Sequence, residues 1–342
     1  MCIDNQAIHR IIVAGTVLIP LLAFSPRAPA QGCIPAHYMS LSLGARGIQY
    51  LNAGEFEGGL SYRYLESDQV YVGSSEQPQL YNVGGRNEIN SFDLSAAYGI
   101  SQRFALNLTM PFEHDNFSLI QGDGQRHSGS SGGLGDIRLV GTAWLFSPED
   151  HPTGNINFGI GPKFPTGDYR ATDYYHTANG EVIFRPVDVA AQLGDGGFGV
   201  VLQLQAFQRI VSDLYAYATG LYLINPRKTN GTERPAPNTG QVNSVPDQYF
   251  GRVGVAWIVW PAQSLSLTLG ARIDGIPQGD LIGGIDDGFR RYGYSIYVDP
   301  GINWVTGKNT LSVNVPVTVA RYIEPGGAVA DFLVVASYSR RF

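Results

Sequence analysis

The chain closes on Asp331-Phe332-Leu333-Val334-Val335-Ala336-Ser337-Tyr338-Ser339-Arg340-Arg341-Phe342. Phe332, Val334, Ala336, Tyr338, Arg340 and Phe342 fall on one face of an extended strand. Leu333, Val335, Ser337, Ser339 and Arg341 fall on the other. Period-two alternation marks a strand whose two faces meet different surroundings. On its own this is an ordinary amphipathic strand. The decision comes from the rest of the chain, which repeats the design.

The clearest repeat is 265–276, where Leu265, Leu267, Leu269, Ala271 and Ile273 oppose Ser266, Thr268, Arg272 and Asp274. Segments of the same kind occupy 55–66, 90–100, 104–112, 135–146, 155–165, 199–210, 249–260, 292–303 and 310–321, and 214–225 is counted with them although both of its faces are apolar or small. With 331–342 they make about twelve strands. A further hairpin around 182–193 would bring the number to fourteen. Each segment is about ten to twelve residues long, enough for a tilted strand to cross a bilayer. Pro111 is expected near the end of its strand, where a missing donor costs least.

The connections alternate short and long, as short periplasmic turns and long outer loops do in transmembrane barrels. Aromatic residues gather at two levels, Phe104, Trp260, Trp304 and Phe342 at one and Tyr64, Phe112, Phe164, Tyr294 and Phe332 at the other. Two such girdles suit the two faces of a membrane. The predicted fold is all-β, a transmembrane antiparallel up-and-down barrel over 54–342. A soluble sandwich shares the alternation but has no reason to put bulky apolar side chains on nearly every outer face and charges inside.

Bulk properties agree. Only 15% of the 342 residues are charged, while Gly (43), Tyr (19) and Phe (16) are frequent. After residue 30 no run is long and apolar enough for a membrane helix. Residues 1–30 read as a cleavable signal peptide, with Arg10 in the basic region, an apolar core at 11–24 and a small-x-small site at Ala28-Pro29-Ala30. Its removal takes the formal charge from −6 to −7, and no basic stripe speaks for nucleic acid. Residues 31–53 form a short leader, too short for a folded plug, although it could enter the lumen as a stopper. With Cys2 in the signal, Cys33 is left without an internal disulfide partner, and Gln31 argues against lipidation there.

Three features resemble known outer-membrane proteins. The terminal strand ending on Phe342 resembles the closing strand of bacterial outer-membrane barrels, although Arg340 replaces the usual apolar residue. In that family such a strand is read by the barrel-assembly machinery. Gly133-Leu134-Gly135-Asp136-Ile137 and Pro165-Thr166-Gly167-Asp168 resemble motifs of the barrel family associated with the meta-pathway of phenol degradation, a family of channels. The motif residues are Gly133, Gly135, Asp136, Pro165, Gly167 and Asp168. The resemblance implies a passive outer-membrane channel for small solutes, hydrophobic or aromatic compounds among them, in contact with outer-membrane lipid and lipopolysaccharide.

A channel works by shape and field, so the inward residues matter. Asp93, Asp136, Arg138, Lys163, Arg252, Arg272, Asp274 and Asp299 are predicted to line the pore. With both signs present they either select solutes or brace the wall as ion pairs. The alternatives to a channel are an outer-membrane enzyme, lipase-like or protease-like, and a structural or adhesive barrel. No histidine lies on an inward face beside a serine, and His114-Asp115 at the outer rim is the one pair resembling a protease site. No cofactor or metal motif stands out. Asp123-Gly124 and Asp286-Asp287-Gly288 lack a calcium-loop pattern, and the glycine-rich segment at 132–136 lacks the lysine of a phosphate loop.

Overall fold

The computed structural model describes residues 50–342 apart from 83, 235–239 and 284–287. The expected signal peptide, nearly all of the leader and Asp286-Asp287 therefore lie outside the described residues.

In chain order the strands are β1 (Phe56–Gly73), β2 (Ser75–Glu76), β3 (Arg86–Gly99), β4 (Phe104–Ile120), β5 (Arg126–Leu134) and β6 (Ile137–Trp144). Next come β7 (Gly154–Phe164), β8 (Thr172–His176), β9 (Val182–Pro186), β10 (Gly199–Val211), β11 (Leu214–Ile224) and β12 (Thr229–Glu233). The last six are β13 (Val242–Ser244), β14 (Gln248–Trp260), β15 (Leu265–Ile276), β16 (Tyr292–Thr306), β17 (Asn309–Asn314) and β18 (Val317–Arg341). Each wall strand pairs antiparallel with its sequence neighbours in the wall, and β18 returns to β1 from Glu57↔Arg341 to Gly73↔Ile323. The sheet thus closes into a twelve-stranded barrel. Closure leaves no unpaired edge, which is what a strand protein in lipid requires.

β17 and the first part of β18 together form one wall strand along β16, interrupted at Val315-Pro316. The chain reverses at Glu324-Pro325-Gly326, where Gly326 has a φ of 111° that other residues rarely adopt. The rest of β18 is the closing strand. The hairpin sought around 182–193 is not there: Val182–Pro186 is instead the second strand of an earlier hairpin, β8 paired with β9, which forms its own two-stranded sheet outside the wall, and 189–191 is a single helical turn. The barrel therefore has twelve strands, not fourteen. β12 and β13 make a second small hairpin in the loop before β14.

The phase of the clearest wall strands follows the alternation. Leu267, Leu269, Val313 and Val315 are exposed on the outer wall, whereas Arg272 and Asp299 face inward and keep 4% and 2% of their surface. The register explains this. Leu269 lies across from Pro300 and Ala271 from Val298 on the lipid face, while Arg272 meets Tyr297 and Asp274 meets Ser295 on the lumen face. Phe104, Trp260, Trp304 and Phe342 are likewise exposed at the short-turn end.

One expectation fails at Pro111. β4 runs on to Ile120, so Pro111 sits mid-strand and pairs with Asp93 of β3. On its other side the partner changes, from β6 up to Thr109↔Arg138 to β5 from Phe112↔Leu134. Antiparallel residues point N–H and C=O the same way. Pro111 accepts from the Gly135 N–H at 2.8 Å, so its missing donor falls at the break between β5 and β6. The glycine- and serine-rich stretch before Gly133, expected as loop, is largely β5.

Candidate functional site

All eight predicted pore residues face the interior: Asp93, Asp136, Arg138, Lys163, Arg252, Arg272, Asp274 and Asp299 are buried or nearly so. Asp136 lies in the break just before β6 rather than on a strand. The alternation placed these side chains inside; their partners come from barrel closure.

The lumen holds a cavity of about 190 Å³ at the short-turn end and one of about 130 Å³ that runs from there to Phe250, and the two share Glu57, Ser95, Thr310 and Ser339 in their walls. Arg103, Arg138 and Arg341 line the larger, Arg252, Arg272 and Asp299 the smaller, and Glu57 both. The described end of the leader crosses this mouth. The Tyr50 ring packs on Trp144 at 4.8 Å and Phe207 at 6.1 Å, and its carbonyl accepts from Arg341 at 3.0 Å. Arg341 in turn pairs with Glu57 at 2.8 Å. Chain just before the first strand thus spans from the β6–β10 wall to the closing strand.

Midway along, the lumen is crossed by side chains. Leu65, Ile89, Tyr297 and Leu333 cluster on one wall, and Val140, Val201, Leu221 and Leu223 on the other; Phe250 packs against both. Around this bridge sit the ion pairs Arg252–Asp299 at 2.6 Å, Arg272–Asp274 at 2.8 Å and Arg63–Asp93 at 3.9 Å. Arg272 also lies 5.1 Å from the Phe250 ring and 5.0 Å from Tyr297, close enough for cation–π attraction.

Beyond the bridge the loops fold inward. Lys163, wholly buried, donates to Asp136 at 2.9 Å and contacts Asp195. Asp195 ties loop 187–198 to the wall, accepting from Asn225 at 3.0 Å through its carboxylate and from Asn230 at 3.2 Å through its carbonyl. The chain of contacts continues from Asn225 N–H to Asp247 at 2.7 Å, from Asp247 N–H to Asp280 at 2.8 Å, and to Arg290, which grips Asp280 with both terminal nitrogens. Burial, with Asp280 beside it, pushes the Asp247 carboxyl up against the pull of the Asn225 and Leu281 N–H groups. At the start of loop 187–198, burial also acts to raise Asp188, but the Arg291 guanidinium outweighs it and holds that carboxyl below its ordinary value.

The two glycine motifs converge on this loop. Thr166 Oγ1 donates to the Gly135 carbonyl at 2.6 Å and accepts from the Ile137 N–H at 3.0 Å, while Asp136 accepts from the Gly167 N–H at 3.0 Å. The Leu193 N–H reaches the Asp168 carbonyl at 3.1 Å. A Cβ on Gly135 would meet the Leu193 carbonyl at 3.2 Å, and one on Gly167 would collide with it. The glycines are there to let loop 187–198 lie directly on the backbone.

Several interior residues escaped the sequence reading. Glu113 and Asp115 face the lumen because β4 passes through Pro111; their even spacing after Asn107 and Thr109 was the available signal. Arg63 had the right phase but was not singled out. Asp195, Asp247, Asp280 and Arg290 lie outside the strands, where no periodicity could reveal them. His114 points outward while Asp115 points in, so they form no acid–histidine pair. Asp123 serves its own turn, accepting from Gln125 N–H and pairing with His127 at 2.8 Å. Among the described residues no group of three His, Cys, Asp or Glu could hold a metal.

No family model matches the chain, and no curated protein matches it. Solved structures do. The crystal structure of an outer membrane channel from Pseudomonas putida F1 aligns with a TM-score of 0.58 at 17% identity, covering 89% of this chain and 100% of that one. A deletion mutant of the monoaromatic hydrocarbon channel TodX gives 0.47 at 11% identity, over 92% and 99% of the two chains. The translocator domain of the autotransporter NalP from Neisseria meningitidis gives 0.46 at 11%, over 86% and 91%. The first likeness establishes the fold, a barrel of the bacterial outer-membrane type; the other two scores are too low to add to it.

Proposed function

We propose that this barrel is a passive outer-membrane channel for small solutes, driven by their own gradient. One observation carries the reading: a closed wall with an apolar exterior encloses a lumen that holds two adjacent cavities with charged and hydroxyl side chains in their walls. A purely structural barrel gains nothing from such space. Phe250 and loop 187–198 close the path in this conformation, so passage requires both to move. Asp93, Arg252, Arg272, Asp274 and Asp299 then act beside the Phe250 constriction, Arg138 in the cavity below it and Asp136 with Lys163 at the loop, where rings of charge bias the traffic. The apolar belt meets outer-membrane lipid and lipopolysaccharide, and the strand ending on Phe342 is the one offered to the barrel-assembly machinery.

Conductance of the refolded barrel in planar bilayers, together with solute-driven swelling of liposomes, tests this. Discrete single-channel steps and swelling above protein-free liposomes are expected. A folded, inserted barrel that passes neither ions nor solutes would rule the channel out.

A further inference from the structure

The smaller cavity has a feature that bracing alone does not explain. Arg252 and Arg272 stand directly opposite each other on β14 and β15, both facing the lumen. Like charges in that position repel and destabilise a sheet. Each has one carboxylate, Asp299 or Asp274, yet Arg252 keeps a buried terminal nitrogen, Nη2, without a hydrogen-bond partner. Phe250 adds an aromatic wall to the same cavity.

The wider surroundings tilt the same way. Five arginines and two carboxylates line the two adjacent cavities together. A low-dielectric wall with one sign of charge in excess concentrates solutes of the opposite sign. The volume of about 130 Å³ is close to the roughly 150 Å³ that admits one benzene ring in an apolar cavity. Small size, a ring face and paired guanidinium groups select for the same kind of molecule.

We propose that the space between Phe250, Arg252 and Arg272 is a binding station for a monocyclic aromatic carboxylate. The ring lies against Phe250, and the carboxylate takes the free Arg252 nitrogen and relieves the repulsion between the two arginines. This deepens the channel reading and relies on it only for the solute's route. Neutral hydrocarbons gain the ring contact but offer no acceptor to the Arg252 nitrogen.

Titration calorimetry on the refolded full chain in detergent tests the site without any flux. The probes are benzoate, toluene and benzylammonium, which share a ring and differ in charge. Benzoate is expected to bind at least about tenfold more tightly than either of the others, and Arg252→Gln to erase that preference. Equal binding of benzoate and benzylammonium by the unaltered protein would overturn the proposal even if the variant failed to fold. So would unchanged benzoate affinity in a folded Arg252→Gln barrel. A barrel that binds benzoate yet carries no current would sink the channel and leave the station standing; a conducting barrel indifferent to benzoate would do the opposite.

Discussion

Replacing Lys163 by Met isolates the latch on the outer mouth. The side chain keeps its length and loses the one cation between Asp136 and Asp195, which are themselves largely buried. Removing one partner from a buried ion pair costs about 3–5 kcal/mol, because a desolvated charge is left behind. Arg138, directly opposite Lys163 on β6, is placed to recover part of this, so the lower end applies. Asp195 also takes hydrogen bonds from Asn225 and Asn230, each worth about 0.5–1.5 kcal/mol. The Asp195 N–H also reaches Asp136 at 3.4 Å, so the lost pairing is of the same size as what else holds Asp195. Loop 187–198 is expected to swing out before the wall yields, because the wall is a continuous hydrogen-bonded ladder. At 1.4 kcal/mol per decade, about 3 kcal/mol raises the open population roughly a hundredfold. Single-channel recordings should show larger, noisier currents, and limited proteolysis should cut within 187–198. Adding Asp195→Asn should reverse much of the effect by removing the repulsion. Unchanged conductance and protease resistance in Lys163→Met would refute the latch.

Two further outcomes follow from the same geometry. Leu269→Arg puts a cation on the lipid face of β15 and should cost about 2–4 kcal/mol of unfolding free energy in liposomes at mid-bilayer depth; an exposed Leu269 in contact with lipid predicts this, and no loss would mean that face does not meet lipid. Asp188, held below its ordinary value with Arg291, contributes stability that is intact above about pH 4 and is lost as pH falls through its lower folded value. Proteolysis of loop 187–198 by an acid-active protease should therefore rise over that acid range, and Arg291→Met should flatten the dependence.

The strand count, the lipid-facing residues and the inward set were legible in the alternation, since each rests on the geometry of one extended segment. Leu267 and Leu269 against Thr268 and Arg272 required no knowledge of any neighbour. The reading failed where local rules met a nonlocal exception. Pro111 was expected to end its strand, and it does not, because β5 and β6 part beside it and leave its missing donor facing a gap. Glu113 and Asp115 were lost with that error.

Side-chain alternation at period two is a covalent property of the extended chain, so sequence by itself determined that this protein is a barrel with charges turned inward. Which charge meets which depends on closure. Arg341 reaches Glu57 across 284 positions, and Lys163 finds Asp195 on a loop that carries no periodic signal. Those pairings, the Phe250 bridge and the placing of Arg252 opposite Arg272 were decided by the tertiary structure. The register and curvature of a closed sheet bring together residues whose separation along the chain encodes nothing about their distance in space.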